Sequence, residues 1–304
     1  QKVSRTFALN IGVLPLALKK SVLLAYLFCR MADTVEDDPS LPGEEKKELL
    51  ALFRAIFERD ADWALRAKEF VFALPSDWSN SKEKDKFLTA HPEWPLRLLF
   101  DMKSETVEHL SLTIRTMSEG MGEFAARQTV PGEWQPLQSE EELDRYCYYV
   151  AGTVGEMLTR LFLDHSPLII SRERKILEEN SIGFGEALQL VNIIKDARED
   201  SERGISFIPE SLCAEMGIST QTLFEEKNRA AACKVFGKLI AKAVGFLDQA
   251  LDYTLALPRL EPKIRLFCLW PLLMAVSTLE RATQGDQLLS GPKVKISRKE
   301  VKQI

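Results

Sequence analysis

Two acidic stretches stand out because each sets its carboxylates on one face of a helix. The first runs Tyr26-Leu-Phe-Cys-Arg30-Met-Ala-Asp33-Thr-Val-Glu36-Asp37-Asp38. At about 3.6 residues per turn, Asp33, Glu36 and Asp37 stand at i, i+3 and i+4, and Arg30 and Tyr26 extend the stripe backwards. The second is Gln189-Leu-Val-Asn192-Ile-Ile-Lys195-Asp196-Ala-Arg198-Glu199-Asp200, in which Gln189, Asn192, Asp196 and Asp200 share a stripe flanked by Leu190, Val191, Ile193 and Ile194. Like charges on a solvated helix repel by only roughly a few tenths of a kcal/mol per pair, so the first stripe alone also suits an ordinary surface. The apolar flanks of the second imply packing on both sides, which would set its acids on a cavity wall. An uncompensated carboxylate there costs on the order of several kcal/mol. A hard divalent cation supplies the missing counter-charge: Mg²⁺ takes oxygen ligands, keeps waters, and is commonly held by one or two carboxylates plus substrate phosphates. Two acidic helices facing one cavity therefore point to Mg²⁺, with Mn²⁺ as a substitute, clamping a diphosphate and easing its departure as an anion. An EF-hand is excluded, since the acids lie on helices and the loop glycine is missing.

The elements that must position these groups read as helix after helix. Residues 21–36, 44–74, 95–127, 140–164, 183–198, 227–257 and 262–282 carry apolar side chains at three- and four-residue spacing, without the two-residue alternation of a strand. Pro39, Pro42 and Gly43; Pro75; Pro131, Gly132 and Pro136; Pro167; and Gly204 with Pro209 punctuate them. The polar stretch 76–86 reads as an ordered connection. No repeat or low-complexity linker divides the chain, so the expectation is all-α, with residues 1–304 forming one domain.

Composition narrows the partners. A formal net charge of -5 gives no footprint for nucleic acid, and the basic run near the C-terminus has no interleaved aromatics. Five scattered cysteines without a Cys-x-x-Cys suit a reducing compartment and small buried hydrophobes rather than zinc or disulfides. The three histidines lack ligand spacing. No stretch reads as an uninterrupted span of about 18 to 20 apolar residues: Lys19 and Lys20 break residues 11–29, and residues 266–276 are short and contain Pro271. The expectation is a cytoplasmic protein, soluble as given or peripheral to a membrane, with any terminal anchor absent from this sequence.

Four motifs in register resemble the squalene/phytoene synthase family over nearly the whole chain. Asp33-Thr-Val-Glu36-Asp37 is similar to the family's first aspartate-rich motif, and Asn192-Ile-Ile-Lys-Asp196-x-x-Glu-Asp200 to its second. Between them Tyr146-Cys-Tyr-Tyr149-Val-Ala-Gly152-Thr-Val-Gly155 resembles its Tyr- and Gly-containing signature, and Ser4-Arg5-Thr-Phe7 its Ser-Arg-x-Phe element. The resemblance implies a single-domain isoprenoid-synthase-type bundle of helices around a central apolar cavity. It also implies an enzyme, a prenyltransferase that joins two prenyl diphosphates head to head, and a monomer that meets a membrane only for product release. Carried over position by position, Asp33, Asp37, Asp196 and Asp200 match metal-binding aspartates, with Glu36 and Asn192 in support. Ser4, Arg5, Phe7, Arg30, Lys195 and Arg203 match diphosphate contacts, and Tyr146, Tyr149 and Tyr26 match tyrosines of the catalytic pocket. The two tyrosines at 146 and 149 also suit plain core aromatics.

Three features resemble the squalene synthase branch: residues 78–85, Gly120-Met121-Gly-Glu123-Phe124, and Gly291-Pro-Lys-Val-Lys295-Ile296. That branch condenses two farnesyl diphosphates through a cyclopropylcarbinyl (presqualene) diphosphate and reduces the rearranged cation with NADPH. Lys293, Lys295 and Arg298 would then contact the cofactor phosphate, a solvated basic tail being the alternative. No Gly-x-Gly-x-x-Gly is present, so such a site is not Rossmann-like. Ile205, beside Arg203-Gly204, stands where squalene synthases carry a basic residue. It keeps open a phytoene, dehydrosqualene or hydroxysqualene synthase that needs no NADPH, with geranylgeranyl diphosphate as the other substrate. A non-catalytic helical assembly subunit is the alternative from another class, and complete acidic motifs weigh against it.

Overall fold

The computed structural model describes residues 10–59, 62–127, 134–284 and 288–289. The chain folds into two compact units, residues 1–131 with 157–167 and residues 132–156 with 168–304. Regular structure is almost wholly helical, as the apolar spacing predicts.

The first unit holds α1 (Leu16–Asp37), α2 (Gly43–Ala55), α3 (Trp63–Ala73), a 3₁₀ turn (Trp78–Asn80), α4 (Lys84–Thr89), α5 (Glu93–Phe100) and α6 (Ser104–Ala125). α1 packs Val22, Ala25, Phe28, Met31, Ala32 and Val35 into the core and leaves its acidic stripe on another side. It ends where it does because Pro39 disfavours helical backbone in the residue before it; Asp38 turns extended, at φ -67° and ψ 116°. Phe28, Phe53, Phe57 and Phe70 form one aromatic cluster with ring centroids 5.1–5.3 Å apart. Truncating one of them to alanine would cost about 3–5 kcal/mol. The stretch expected as a single helix over 44–74 is two helices. Asp62 caps the second, accepting from the backbone N–H of Ala64 and Leu65 at 3.1 Å each. The polar connection over 76–86 is ordered, and contributes the 3₁₀ turn and the start of α4.

The second unit holds α7 (Glu140–Cys147), a π-helical turn (Tyr148–Gly152), the first turn of α8 (Thr153–His165), α9 (Ser171–Glu202), α10 (Glu210–Glu215), α11 (Arg229–Ala256) and α12 (Pro262–Thr283). α9 runs for 32 residues, well beyond the expected 183–198, and packs along α11 with Phe184 stacked on Tyr253 at 4.7 Å. It stops at Gly204, whose φ of 80° is the left-handed conformation that commonly closes a helix. A two-residue parallel pair, β1 (Gln135–Pro136) with β2 (Ile205–Ser206), follows. It is too short for any alternation to show in the sequence. The π turn is packed tightly on α9. A Cβ at Gly155 would run into the Ser181 carbonyl oxygen, and one at Gly185 into the Ala151 carbonyl oxygen, so both backbones need glycine to come this close.

Pro271 does not break α12, which continues from Pro262 to Thr283. Among the described residues this helix alone is long and apolar enough to cross a membrane, and less than half of its most apolar stretch is buried in the protein. Residues 266–276 taken by themselves are too short to reveal this, because the helix extends beyond them at both ends. All five cysteines are free thiols; Cys147, Cys213 and Cys268 are buried, whereas Cys233 is exposed.

Candidate active site

In the first unit, the last turns of α1 bring Tyr26, Arg30, Asp33, Glu36 and Asp37 together as the spacing predicts. Arg30 donates from Nη1 to Asp33 Oδ2 at 3.1 Å and from Nη2 to Asp85 Oδ2 at 3.0 Å. Burial pushes the Asp33 carboxyl up to about 7; Arg30 opposes this, while Asp37 and Asp85 add to it. Asp33 nevertheless keeps 32% of its side-chain surface. Asp33 is thus partly open to solvent yet set among groups that disfavour its charge. Glu36 is held well above the carboxylate range by burial and by Asp37 and Asp33, with Lys46 pulling the other way. The Tyr26 phenol is raised by burial, lowered by Arg30 and raised by Asp85 and Asp33, so it belongs to the same charged group.

In the second unit, α9 carries Asn192, Lys195, Asp196 and Asp200, with Arg203 just beyond its end. Lys195 Nζ donates to Asn192 Oδ1 at 3.1 Å and lies 2.9 Å from Asp196 Oδ2. Asp200 is buried and pairs with Arg203. Tyr146, at the end of α7, is buried and stacked on Phe207 at 4.6 Å. Tyr149 is half-buried in the π turn, where the Thr153 N–H reaches back to the Tyr148 carbonyl. Ser4, Arg5 and Phe7, and likewise Lys293, Lys295 and Arg298, lie outside the described residues.

Three further groups stand beside these residues, and two of them escape a reading of the sequence. Asp85 reaches Arg30 from α4, a neighbour 55 positions away that no local periodicity reveals. Lys46 on α2 faces Glu36 in the same way. Glu186 does carry a signal, because it stands three residues before Gln189 and so prolongs the α9 stripe. It is 7% exposed, and burial pushes its carboxyl up to about 7, with Asp144 adding and Lys242 opposing.

Among the described residues, no three His, Cys, Asp or Glu side chains form a ready-made metal cluster. The donors still fit Mg²⁺ that brings phosphate oxygens with it: they are hard carboxylate oxygens, and those of Asp33 and Glu36 are destabilised as anions by their surroundings. The apolar groove of about 430 Å³ in the second unit, between Val244 and Leu251 of α11 and Leu273 and Val276 of α12, contains none of these residues.

An all-helical chain with carboxylate stripes on α1 and α9 has the make-up of an isoprenoid-synthase-type protein. The chain belongs to the squalene/phytoene synthase family, whose model matches residues 1–300. Squalene synthase 1 of Arabidopsis thaliana is 30% identical over 294 residues, covering 95% of this chain and 65% of that protein. Squalene synthase ERG9 of Candida albicans is 30% identical over 297 residues, covering 95% and 61%. The chain thus spans just under two thirds of the length of these relatives. Among solved structures, a complex of TcSQS with the ligand BPH1237 superposes with TM-score 0.80 at 25% identity, covering 100% of this chain and 82% of that one. A dehydrosqualene synthase in complex with ligand is similar in fold, with TM-score 0.64 at 22% identity and coverage of 99% and 89%.

Proposed function

We propose that this protein is a farnesyl-diphosphate farnesyltransferase that joins two farnesyl diphosphates head to head and reduces the product to squalene with NADPH. The observation that carries the reading is the family match over residues 1–300, which spans both acidic stripes and the Tyr146 signature, together with relatives that are squalene synthases. Asp33, Glu36 and Asp37 on α1, and Asn192, Asp196 and Asp200 on α9, would hold Mg²⁺. Bound Mg²⁺ supplies charge neutralisation for a departing diphosphate, and NADPH supplies hydride.

The chain's own groups do the rest. Arg30 presents a planar fork suited to phosphate oxygens, and Lys195 on α9 and Arg203 just beyond its end add donors. Ser4, Arg5 and Phe7 would complete the diphosphate contacts. Tyr146 offers a hydroxyl for moving a proton, and its ring and that of Tyr149 present π-faces to a carbocation; Tyr26 does the same on α1. Lys293, Lys295 and Arg298 would take the cofactor phosphate. The single family match over residues 1–300 supports one coupling domain. We place the protein in the cytoplasm as a monomer, peripheral to a membrane that receives its product.

A second reading, termination without NADPH, is favoured by Ile205, an aliphatic side chain at the place where the family resemblance leads one to expect the basic residue of squalene synthases. Incubation with farnesyl diphosphate and Mg²⁺, with and without NADPH, and mass spectrometry of the hydrocarbons separates the two. Squalene formed only with NADPH is expected. Dehydrosqualene or hydroxysqualene in both samples would establish the second reading, and no C30 product would overturn both. Asp196→Asn and Asp37→Asn should each lower turnover by at least ~10²-fold, the scale of losing one preorganised electrostatic group, with helical circular dichroism unchanged.

A further inference from the structure

Among the described residues Arg30 bridges Asp33 and Asp85, and its guanidinium serves the two carboxylates at once: Nη1 to Asp33 at 3.1 Å, Nη2 to Asp85 at 3.0 Å. Its Nε is buried without a hydrogen-bond partner among the described residues, where the two carboxylates are what fix the plane of the fork. Asp85 itself cannot follow Arg30 far. The next residue of α4, Lys86, is anchored 2.8 Å from the buried Asp38 carboxylate, and Thr89 donates to the Asp85 carbonyl at 2.8 Å. Asp33 Oδ2 is therefore already engaged. A cation that takes both oxygens of Asp33 competes with Nη1 for Oδ2, and an anion that draws Arg30 away opens the same contact. One opening serves both events, which makes the two bindings mutually reinforcing.

We propose that Asp85 is a positioning residue that sets this coupling: by holding Nη2 it splits the Arg30 charge between two carboxylates, so that Nη1 caps Asp33 without locking it. The proposal rests on the reading of Asp33 as a metal ligand and Arg30 as a diphosphate contact. Asparagine at position 85 keeps an acceptor oxygen for Nη2 but removes the charge. Arg30 then belongs to Asp33 alone, and the contact that competes with the cation becomes stronger. An incoming anion meanwhile loses a rival for the guanidinium.

Titration calorimetry with Mn²⁺ and with inorganic pyrophosphate, each alone and in the presence of the other, tests this on the whole chain. In the wild type, pyrophosphate should tighten Mn²⁺ binding by ~10-fold or more, within the usual range of coupling between sites. In Asp85→Asn, Mn²⁺ alone should bind ~3-fold or more weakly while pyrophosphate alone binds no less tightly, shifts of opposite sign that general loosening of the fold would not give. Glu83→Gln removes a neighbouring exposed charge with no contact to Arg30 and should change neither. Equal shifts in Glu83→Gln and Asp85→Asn, or loss of both affinities together in Asp85→Asn, would overturn the proposal. Squalene formation assayed in parallel separates the two failures. An active wild type without coupling overturns the role of Asp85 alone, and a wild type that neither reacts nor binds Mn²⁺ overturns the reading beneath it.

Discussion

Lys86 Nζ lies 2.8 Å from Asp38 Oδ2, with the Asp38 side chain 1% exposed and that of Lys86 22%. The pair fastens α4 to the residue that ends the acidic turn of α1. Burial alone would push the Asp38 carboxyl up, but Lys86 and the Ser40 hydrogen bonds outweigh it and hold the carboxyl below its ordinary value.

Lys86→Met should therefore cost about 3 kcal/mol at pH 7, because it strands a buried carboxylate. A depressed folded pKa gives stability that is complete above the ordinary carboxylate value of 3.8 and is lost as pH falls through the lowered one. Urea unfolding of wild type and variant should show the gap at pH 7 and its narrowing toward pH 3. An undiminished gap at pH 3 would mean that lost packing on Trp78, which Lys86 overlies at 5.4 Å, is the cause.

Asp33 behaves in the opposite sense. Its carboxyl is pushed up to about 7, chiefly by burial, so the metal-free fold loses stability as pH rises from about 4 toward 7 and loses no more above that. Asp33→Asn should stabilise the metal-free protein by on the order of 1 kcal/mol at pH 8, the full shift being trimmed by solvent at a partly exposed side chain. It should change nothing at pH 4, and it should abolish coupling activity. Thermal melts in chelator at the two pH values, beside a turnover assay, check both halves.

How much of this is legible in the sequence depends on the range of the physics. The stripes on α1 and α9 follow from helical spacing and appear where the sequence puts them. The break inside 44–74 is legible in principle: Asp62 stands just before Trp63 as a helix cap, but apolar residues on both sides mask it. Asp85 and Lys46 come to the site from other elements, which no spacing rule within one segment reports. The helix expected over 262–282 runs through Pro271 as the apolar spacing indicates, since that spacing outweighs the proline signal.

Gly155→Ala should cost about 3 kcal/mol, the upper end for overpacking, since the added methyl meets the Ser181 carbonyl oxygen and not a movable side-chain tip. At Gly237, where a Cβ would meet nothing within 4 Å, alanine should instead stabilise α11 by ~0.5–1 kcal/mol. Denaturant midpoints of the two variants measured side by side decide this; similar shifts would contradict the packing described.

Tyr146→Phe keeps the ring that stacks on Phe207 and deletes only the hydroxyl. Turnover should fall ~10²-fold, the lower range for a lost proton-transfer group, with the melting temperature almost unchanged. A large drop in melting temperature would assign the hydroxyl to the fold.

The π turn over Tyr148–Gly152 adds one residue to an otherwise continuous helical path between α7 and the first turn of α8. Each residue of an α-helix advances the azimuth by about 100°, whereas the wider π turn spreads its rotation over one more residue and keeps the Tyr146 face and the Gly155 face in the relation an unbroken helix would give. Deleting a single residue there would restore ordinary winding and leave the two faces in register, whereas inserting a further residue would turn one of them by about 100° from its target. The signature is thus more open to losing a residue at the turn than to gaining one.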